Sequence, residues 1–276
     1  MAPQSKKKAP DAVLSKSQFA ESLQAIGIRF GLSKVFDDFL TMSIAACSRN
    51  PKTGLSHYED EYLQTIAAYK DSELRHEFPK AFSSLIAEME ARVTDERGND
   101  ILGEFFEQHF ANDRTGQIFN PFHICTFMAK ITHDAHDKKP EPPDRPLRIL
   151  DPACDSGRML LAAHKEFGQR HEYYAIDIDR VCVKMTALNL FLNGIWNSEV
   201  MCANALMPDD FVCSYRISLL PFGIFKIEKK EASQLWHLQQ HAMTQKESKR
   251  ISDSITTNPT PFSERKCDDG EQLVLF

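Results

Sequence analysis

Between Leu147 and Ile195 the chain alternates twice between a short apolar run and an amphipathic stripe, and this alternation restricts the fold more than any other feature. Leu147-Arg-Ile-Leu150 reads as a strand, and Ser156 to Phe167 as a helix with Leu160, Ala163 and Phe167 on one face. Tyr173-Tyr-Ala-Ile176 reads as a second strand. Val181, Met185, Leu188, Leu192 and Ile195 mark a second helix that stops near Asn193-Gly194. Strand, helix, strand, helix at this spacing predicts an α/β unit with a parallel sheet and right-handed crossovers. Glu199 to Cys202 and Arg216 to Leu220 offer further strands.

The sequence before this unit has a different texture. Apolar residues recur at three and four positions through Phe36, Phe39, Leu40, Ile44 and Cys47, then Tyr58, Tyr62, Ile66 and Tyr69, then Phe82, Leu85, Ile86 and Met89. Gly98-Asn99-Asp100 interrupts the pattern, which resumes through Leu102, Phe105, Phe106 and His109 and again through Ile124, Phe127, Met128 and Ile131. Residues 17–137 therefore read as a helical domain behind a disordered basic tail, 1–16. Four of the nine residues 138–146 are proline, a stiff linker that cannot be helix interior. The α/β domain is expected over 147–241, and the polar stretch after it, 242–276, as a disordered tail.

Composition narrows the function classes. The 276 residues carry 33 Lys and Arg against 39 Asp and Glu, a net charge of −6, so contact with nucleic acid has to be local or supplied by a partner. No apolar run approaches the roughly 18 residues needed to cross a bilayer, and no apolar stretch follows the basic start, which excludes a secretory signal. Seven cysteines, none in a C-x-x-C pair, argue against a disulfide framework or a zinc knuckle and for reduced thiols in a cytoplasmic protein.

Ligands of open parallel sheets bind beyond the carboxyl ends of the strands. Asp151-Pro-Ala-Cys-Asp-Ser-Gly157 follows the first strand and opens a helix, where free backbone N–H groups attract an anionic group. Asp177-Ile-Asp179 ends the second strand, where a carboxylate accepts hydrogen bonds from ribose hydroxyls. Together they imply a nucleoside-bearing cofactor. His133, Asp134, His136 and Asp137 sit at a helix end and read as a solvated cap. His237 and His241 lack the glutamate that a zinc protease needs after the first histidine, so no metal site is expected.

On these residues the chain resembles the adenine-N6 DNA methyltransferases, especially the modification subunits of type I restriction systems. Asp151 to Gly157 is similar to that family's cofactor loop. Gly116-Gln-Ile-Phe-Asn-Pro121 resembles the segment that holds the methionine end of S-adenosylmethionine. Ala175-Ile-Asp-Ile-Asp179, followed by Ala187-Leu-Asn-Leu-Phe-Leu-Asn-Gly194, resembles the ribose-binding strand and its helix, and Ala203-Asn-Ala-Leu206 the turn beside the adenine. The likeness spans roughly residues 100 to 206. It implies a Rossmann-like methyltransferase fold that binds S-adenosylmethionine through Gly116, Gln117, Phe119, Asn120, Pro121, Asp151, Pro152, Ala153, Asp155, Ser156, Asp177, Ile178 and Asn204. It also implies DNA and a specificity or other modification subunit as partners, in a bacterial, phage or plasmid setting.

Two departures stand out. Asp155 occupies a position where the family has glycine, which adds a Cβ and a negative charge near the methionine carboxylate. The family's Asn/Asp-Pro-Pro-Tyr/Phe element, which accepts hydrogen bonds from a flipped adenine, has as its expected counterpart Leu220-Pro221-Phe222, where Leu220 accepts none. Asn258-Pro-Thr-Pro-Phe262 looks like a displaced copy. The sheet is thus expected to be truncated, and the protein either a methyltransferase or a catalytically dead adaptor of the same fold. The last five residues, with Gln272, Leu273, Leu275 and Phe276, resemble the pentapeptide that binds the bacterial sliding clamp.

Overall fold

The computed structural model describes residues 17–49, 53–54, 56–70, 72–92, 98–110, 119–137, 146–207, 209–255 and 273–275. The N-terminal half is helical, as the periodicity predicts: α1 (Gln18–Phe30), α2 (Leu32–Ala46), α3 (Glu59–Ala67), α4 (Glu77–Ala91), α5 (Ile101–His109) and α6 (Phe122–Asp137). Ser17 caps α1 by accepting a hydrogen bond from the Ala20 amide at 3.0 Å, and Gly31, at φ 85°, supplies the turn into α2 that a side chain would strain. The apolar stripes of α1, α2 and α5 meet in a cluster of rings. Phe105 lies 5.3 Å from Phe19 and 5.2 Å from Phe36, centroid to centroid, and Phe19 lies 5.4 Å from Phe39.

After the proline-rich segment come β1 (Arg148–Asp151), α7 (Arg158–Phe167), β2 (Glu172–Asp177), α8 (Arg180–Leu192), β3 (Ser198–Ala203), β4 (Phe211–Leu219), β5 (Phe222–Ile227), α9 (Gln234–Ile255) and β6 (Leu273–Leu275). The sheet runs β5-β4-β3-β2-β1-β6. β1, β2, β3 and β6 are parallel, while β4 pairs antiparallel with both β3 and β5. Because strand side chains alternate, each strand feeds two layers. Ile149, Tyr173, Ala175, Val200 and Cys202 face a core shared with α7, α8 and the N-terminal helices, whereas Leu150, Tyr174, Ile176 and Met201 face Leu235 of α9.

Three expectations change here. The helical segment and the sheet share one continuous core, with Phe36, Phe105, Leu160 and Leu188 in the same cluster, so the proline-rich segment does not separate two cores. Helix α9 runs on to Ile255, through the start of the stretch read as a disordered tail. The C-terminal peptide is likewise no free end: Leu273, Val274 and Leu275 pair in parallel with Arg148, Ile149 and Leu150. An extended apolar segment beside an unpaired strand edge satisfies backbone groups on both sides. Leu273 and Leu275 of the clamp-like pentapeptide thus pair internally in this structure, while Gln272 and Phe276 lie outside the described residues.

A shared core predicts one cooperative unfolding transition in scanning calorimetry, and two separated transitions would contradict it. Phe105→Ala should lower stability by about 3–5 kcal/mol in urea denaturation, because a large buried side chain is lost and the surrounding rings cannot fully close the gap.

Candidate functional site

Asp151, Asp177 and Asn204 stand at or just past the carboxyl ends of three adjacent parallel strands, β1, β2 and β3. Between the first two, the loop 152–157 folds back on β2, with the Cys154 amide donating to the Ile176 carbonyl at 3.0 Å. Helix α7 starts from Gly157 at φ 81°, and no side chain caps it, so its first N–H groups stay open to a ligand. A Cβ on Gly157 would meet the Thr186 methyl at 2.8 Å. Tight packing of loop against α8 explains why glycine is needed there.

A cavity of about 200 Å³ opens at this point. Its walls include Phe119 and Asn120 of the segment entering α6, Asp151 and the loop through Ser156, and Arg158. The structure thus brings Phe119, Asn120, Asp151, Pro152, Ala153, Asp155 and Ser156 together. Asp177 touches the cavity loop through the Asp155 amide, but Asp177, Ile178 and Asn204 are not among the lining residues; Ile178 is exposed, and the Asn204 side chain accepts from the Leu206 amide at 3.0 Å. Gly116 and Gln117 lie outside the described residues. Cys125, Met128, Cys154 and Met159 also line the cavity; of these the sequence marks only Met128, in an apolar stripe, and Cys154, within the loop motif.

Three carboxylates crowd the site. Asp177 accepts from the Asp155 amide through one oxygen and from the Asp179 amide through the other, both at 2.9 Å. Burial pushes Asp151 up to about 6, against the hydrogen bond from the Ala153 amide. Burial pushes Asp155 up to about 7, helped by the charges of Asp177 and Asp151. Asp155 sits at φ 48°, the left-handed region where glycine rests without strain, and it does not cap α7, whose cap is Gly157. Asp155, Asp177 and Cys182 bring one ligand atom each within 4.8 Å of one another.

Beneath the loop lies a network that the sequence did not announce. Asp100, the N-cap of α5, is buried and takes four donors: the Gly103 amide at 2.9 Å, the Ser156 hydroxyl at 2.6 Å, Arg158 Nε at 2.7 Å and Asn189 Nδ2 at 2.7 Å. Arg158 also donates to Glu107 at 2.8 Å and to the Asn120 carbonyl at 3.0 Å. One guanidinium therefore ties α5, the 119–121 segment and α7 together. Asp100 with Gly103 three residues on was a readable helix start, but its partners were not.

Leu220, Pro221 and Phe222 are elsewhere. Because β4 is antiparallel to β3, with Ser198 opposite Ile217, the β4–β5 turn lies beside the start of β3. That is the far end of the sheet from Asp151 and Asp177, roughly 20 Å away for a six-residue strand. Leu220 is 89% exposed, and Phe222 packs on Phe191 and Trp196. Reading this turn as the adenine-binding element assumed one more parallel strand where the chain makes a hairpin. The Asn258–Phe262 segment lies outside the described residues.

Comparisons with known proteins follow this geometry. The family profile described as N-6 DNA Methylase matches residues 97–269. The type I restriction enzyme MjaVIII methylase subunit of Methanocaldococcus jannaschii is 28% identical over 107 residues, which is 36% of this chain and 17% of that protein. The crystal structure of the type I restriction-modification system methyltransferase subunit from Streptococcus thermophilus superimposes with a TM-score of 0.33 at 15% identity, covering 68% of this chain and 57% of that one. The chain thus spans under a fifth of the length of that curated relative and just over half of that solved one.

Two predictions follow from the buried charges. Arg158→Ala should cost about 3–5 kcal/mol in chemical denaturation, because it leaves the Asp100 carboxylate buried without its counter-ion; a loss under 1 kcal/mol would contradict the network. Asp155 holds a proton in the folded chain at pH values where the unfolded chain, with an ordinary carboxyl near 3.8, has released it. Its penalty is therefore absent below about 4, grows as pH rises toward 7 and is complete above that. Asp155→Asn should raise the melting temperature more at pH 8 than at pH 5, and an equal gain at both would contradict the assignment.

Proposed function

Since this chain belongs to the N-6 DNA methylase family, we propose that its strand-end site binds S-adenosylmethionine and that the protein acts on or at DNA as an adenine-N6 methyltransferase-type module. The observation that carries this reading is the alignment of Asp151, Asp177 and Asn204 on three neighbouring parallel strands, beside the open N-terminus of α7. Asp177 retains lone pairs for ribose hydroxyls after its two amide contacts. Ile178 offers an exposed apolar surface to the adenine. Asp151 attracts the methionine ammonium, and the α7 N-terminus favours its carboxylate. Phe119 and Asn120 close the other wall.

The residues fit the cofactor with one opposing charge, that of Asp155. Its upward shift to about 7 leaves much of the population neutral near physiological pH, which limits the repulsion. Bound there, the cofactor supplies an electrophilic sulfonium methyl; the chain holds and orients it. The relative is a methylase subunit by name, and with a charge of −6 this chain reaches DNA through a local contact or through a specificity-type partner. A second reading, an inactive adaptor of the same fold, is favoured by the aspartate at a glycine-like position.

Calorimetry separates the two. Micromolar binding of S-adenosylmethionine and of its demethylated product supports the cofactor site, and no heat at millimolar ligand sinks it. Asp177→Ala should weaken binding at least tenfold. Asp155→Gly should tighten it, by more at pH 8 than at pH 6, because the charge it removes is present at the higher pH. Label transferred from the cofactor to adenine N6 in DNA, by the protein alone or with its partner subunits, would exclude the adaptor.

A further inference from the structure

One pair of reactive side chains has no part in the proposed chemistry. Cys202 near the end of β3 and Cys213 of β4 are directly opposed in an antiparallel ladder. Opposed residues place their side chains on the same face, with Cα atoms about 4.5–5.5 Å apart, inside the roughly 4.4–6.8 Å that a disulfide spans. Both are free thiols; Cys202 is buried and Cys213 partly exposed. The ladder slips immediately after this pair, between Cys202 and Ala203, so it ends the regular pairing of the two strands. On its other side Cys202 is the register partner of Asp177, and its thiol donates to the Ile178 carbonyl at 3.8 Å.

The two thiols are not equivalent. The neighbouring Cys202 thiol favours the Cys213 thiolate, as do the charges of Lys226, Arg180 and Lys184, and together they outweigh burial. The same contact raises Cys202, with burial adding to it. Burial pushes Cys47 up to about 12 and Cys125 up to about 11 and raises Cys154. A partly exposed thiol with thiolate character, set against a buried neighbour, is the arrangement of an attacking and a resolving cysteine.

We propose that Cys202 and Cys213 form a reversible dithiol–disulfide modification site at the edge of the strand-end site, oxidised by small-molecule disulfides of the glutathione class. The Cys213 thiolate attacks one sulfur of the disulfide, forming a mixed disulfide and expelling one thiolate. Cys202 then gives up its proton to solvent and attacks the Cys213 sulfur. The Cys202–Cys213 bond forms, the second thiolate leaves, and two electrons have passed from the protein to the oxidant. The site stands whether or not the protein binds S-adenosylmethionine.

The test uses the full chain, folded, at pH 7.5 with oxidised glutathione. Cleavage before Asp209 separates the two cysteines, so a disulfide appears in mass spectrometry as two joined peptides, two hydrogens lighter than their sum and parted by dithiothreitol. Cys202→Ser should stop at glutathione on Cys213, and Cys213→Ser should leave Cys202 unmodified. The idea is overturned if other cysteines link first, if wild type halts at the mixed disulfide, or if Cys213→Ser reacts as fast as wild type. Thermal melting of both serine variants establishes that they are folded before the comparison.

Discussion

The buried ion pair of Asp100 with Arg158 ties the N-terminal helices of this protein to its sheet. Asp100 caps a helix of the N-terminal half, Arg158 opens the helix that follows β1, and the two meet at 2.7 Å. With side-chain exposures of 2% and 10%, neither charge can be left alone without a large desolvation cost. Each is accordingly saturated: Asp100 by Ser156, Asn189 and the Gly103 amide, and Arg158 by Glu107 and the Asn120 carbonyl. Ser156 and Asn120 both line the cavity, so the pair that locks the helices to the sheet also shapes the proposed binding loop. Any change that loosens one loosens the other.

Against that rigid base the site itself carries unfavourable electrostatics. Asp151, Asp155 and Asp177 converge where burial disfavours their charged forms, and the raised pKa values record the cost. Groups in such surroundings are commonly placed for a ligand rather than for stability. Asp177 is the best supported of the three, since two backbone amides hold its carboxylate in place. Asp155 is the least, because it combines a left-handed backbone with a charge that nothing in the loop requires.

Much of the parallel unit was legible in the sequence. Short apolar runs located β1 and β2, which are buried on both faces, and apolar residues recurring at three and four located α7 and α8. The loop from Asp151 to Gly157 and the carboxylate at Asp177 were legible because a strand end followed by a helix start is written in contiguous residues. Strand direction was not. Arg216 to Leu220 looked like another strand of the same kind, whereas β4 runs antiparallel and turns into β5 at Leu220 and Pro221. This moved the expected adenine-binding residues to the wrong end of the sheet.

The sequence by itself determined the order of the elements, the strand-end loop and the carboxylates that follow the strands, since each depends on local spacing and chirality. Only the tertiary structure decided which strand lies beside which, that Leu273–Leu275 pairs with β1 across more than a hundred residues, that Cys202 faces Cys213, and that Asp100 meets Arg158. Pairings at such separations leave no periodic mark on the chain. They are settled by the need of buried backbone edges and buried charges to find partners, wherever in the sequence those partners happen to lie.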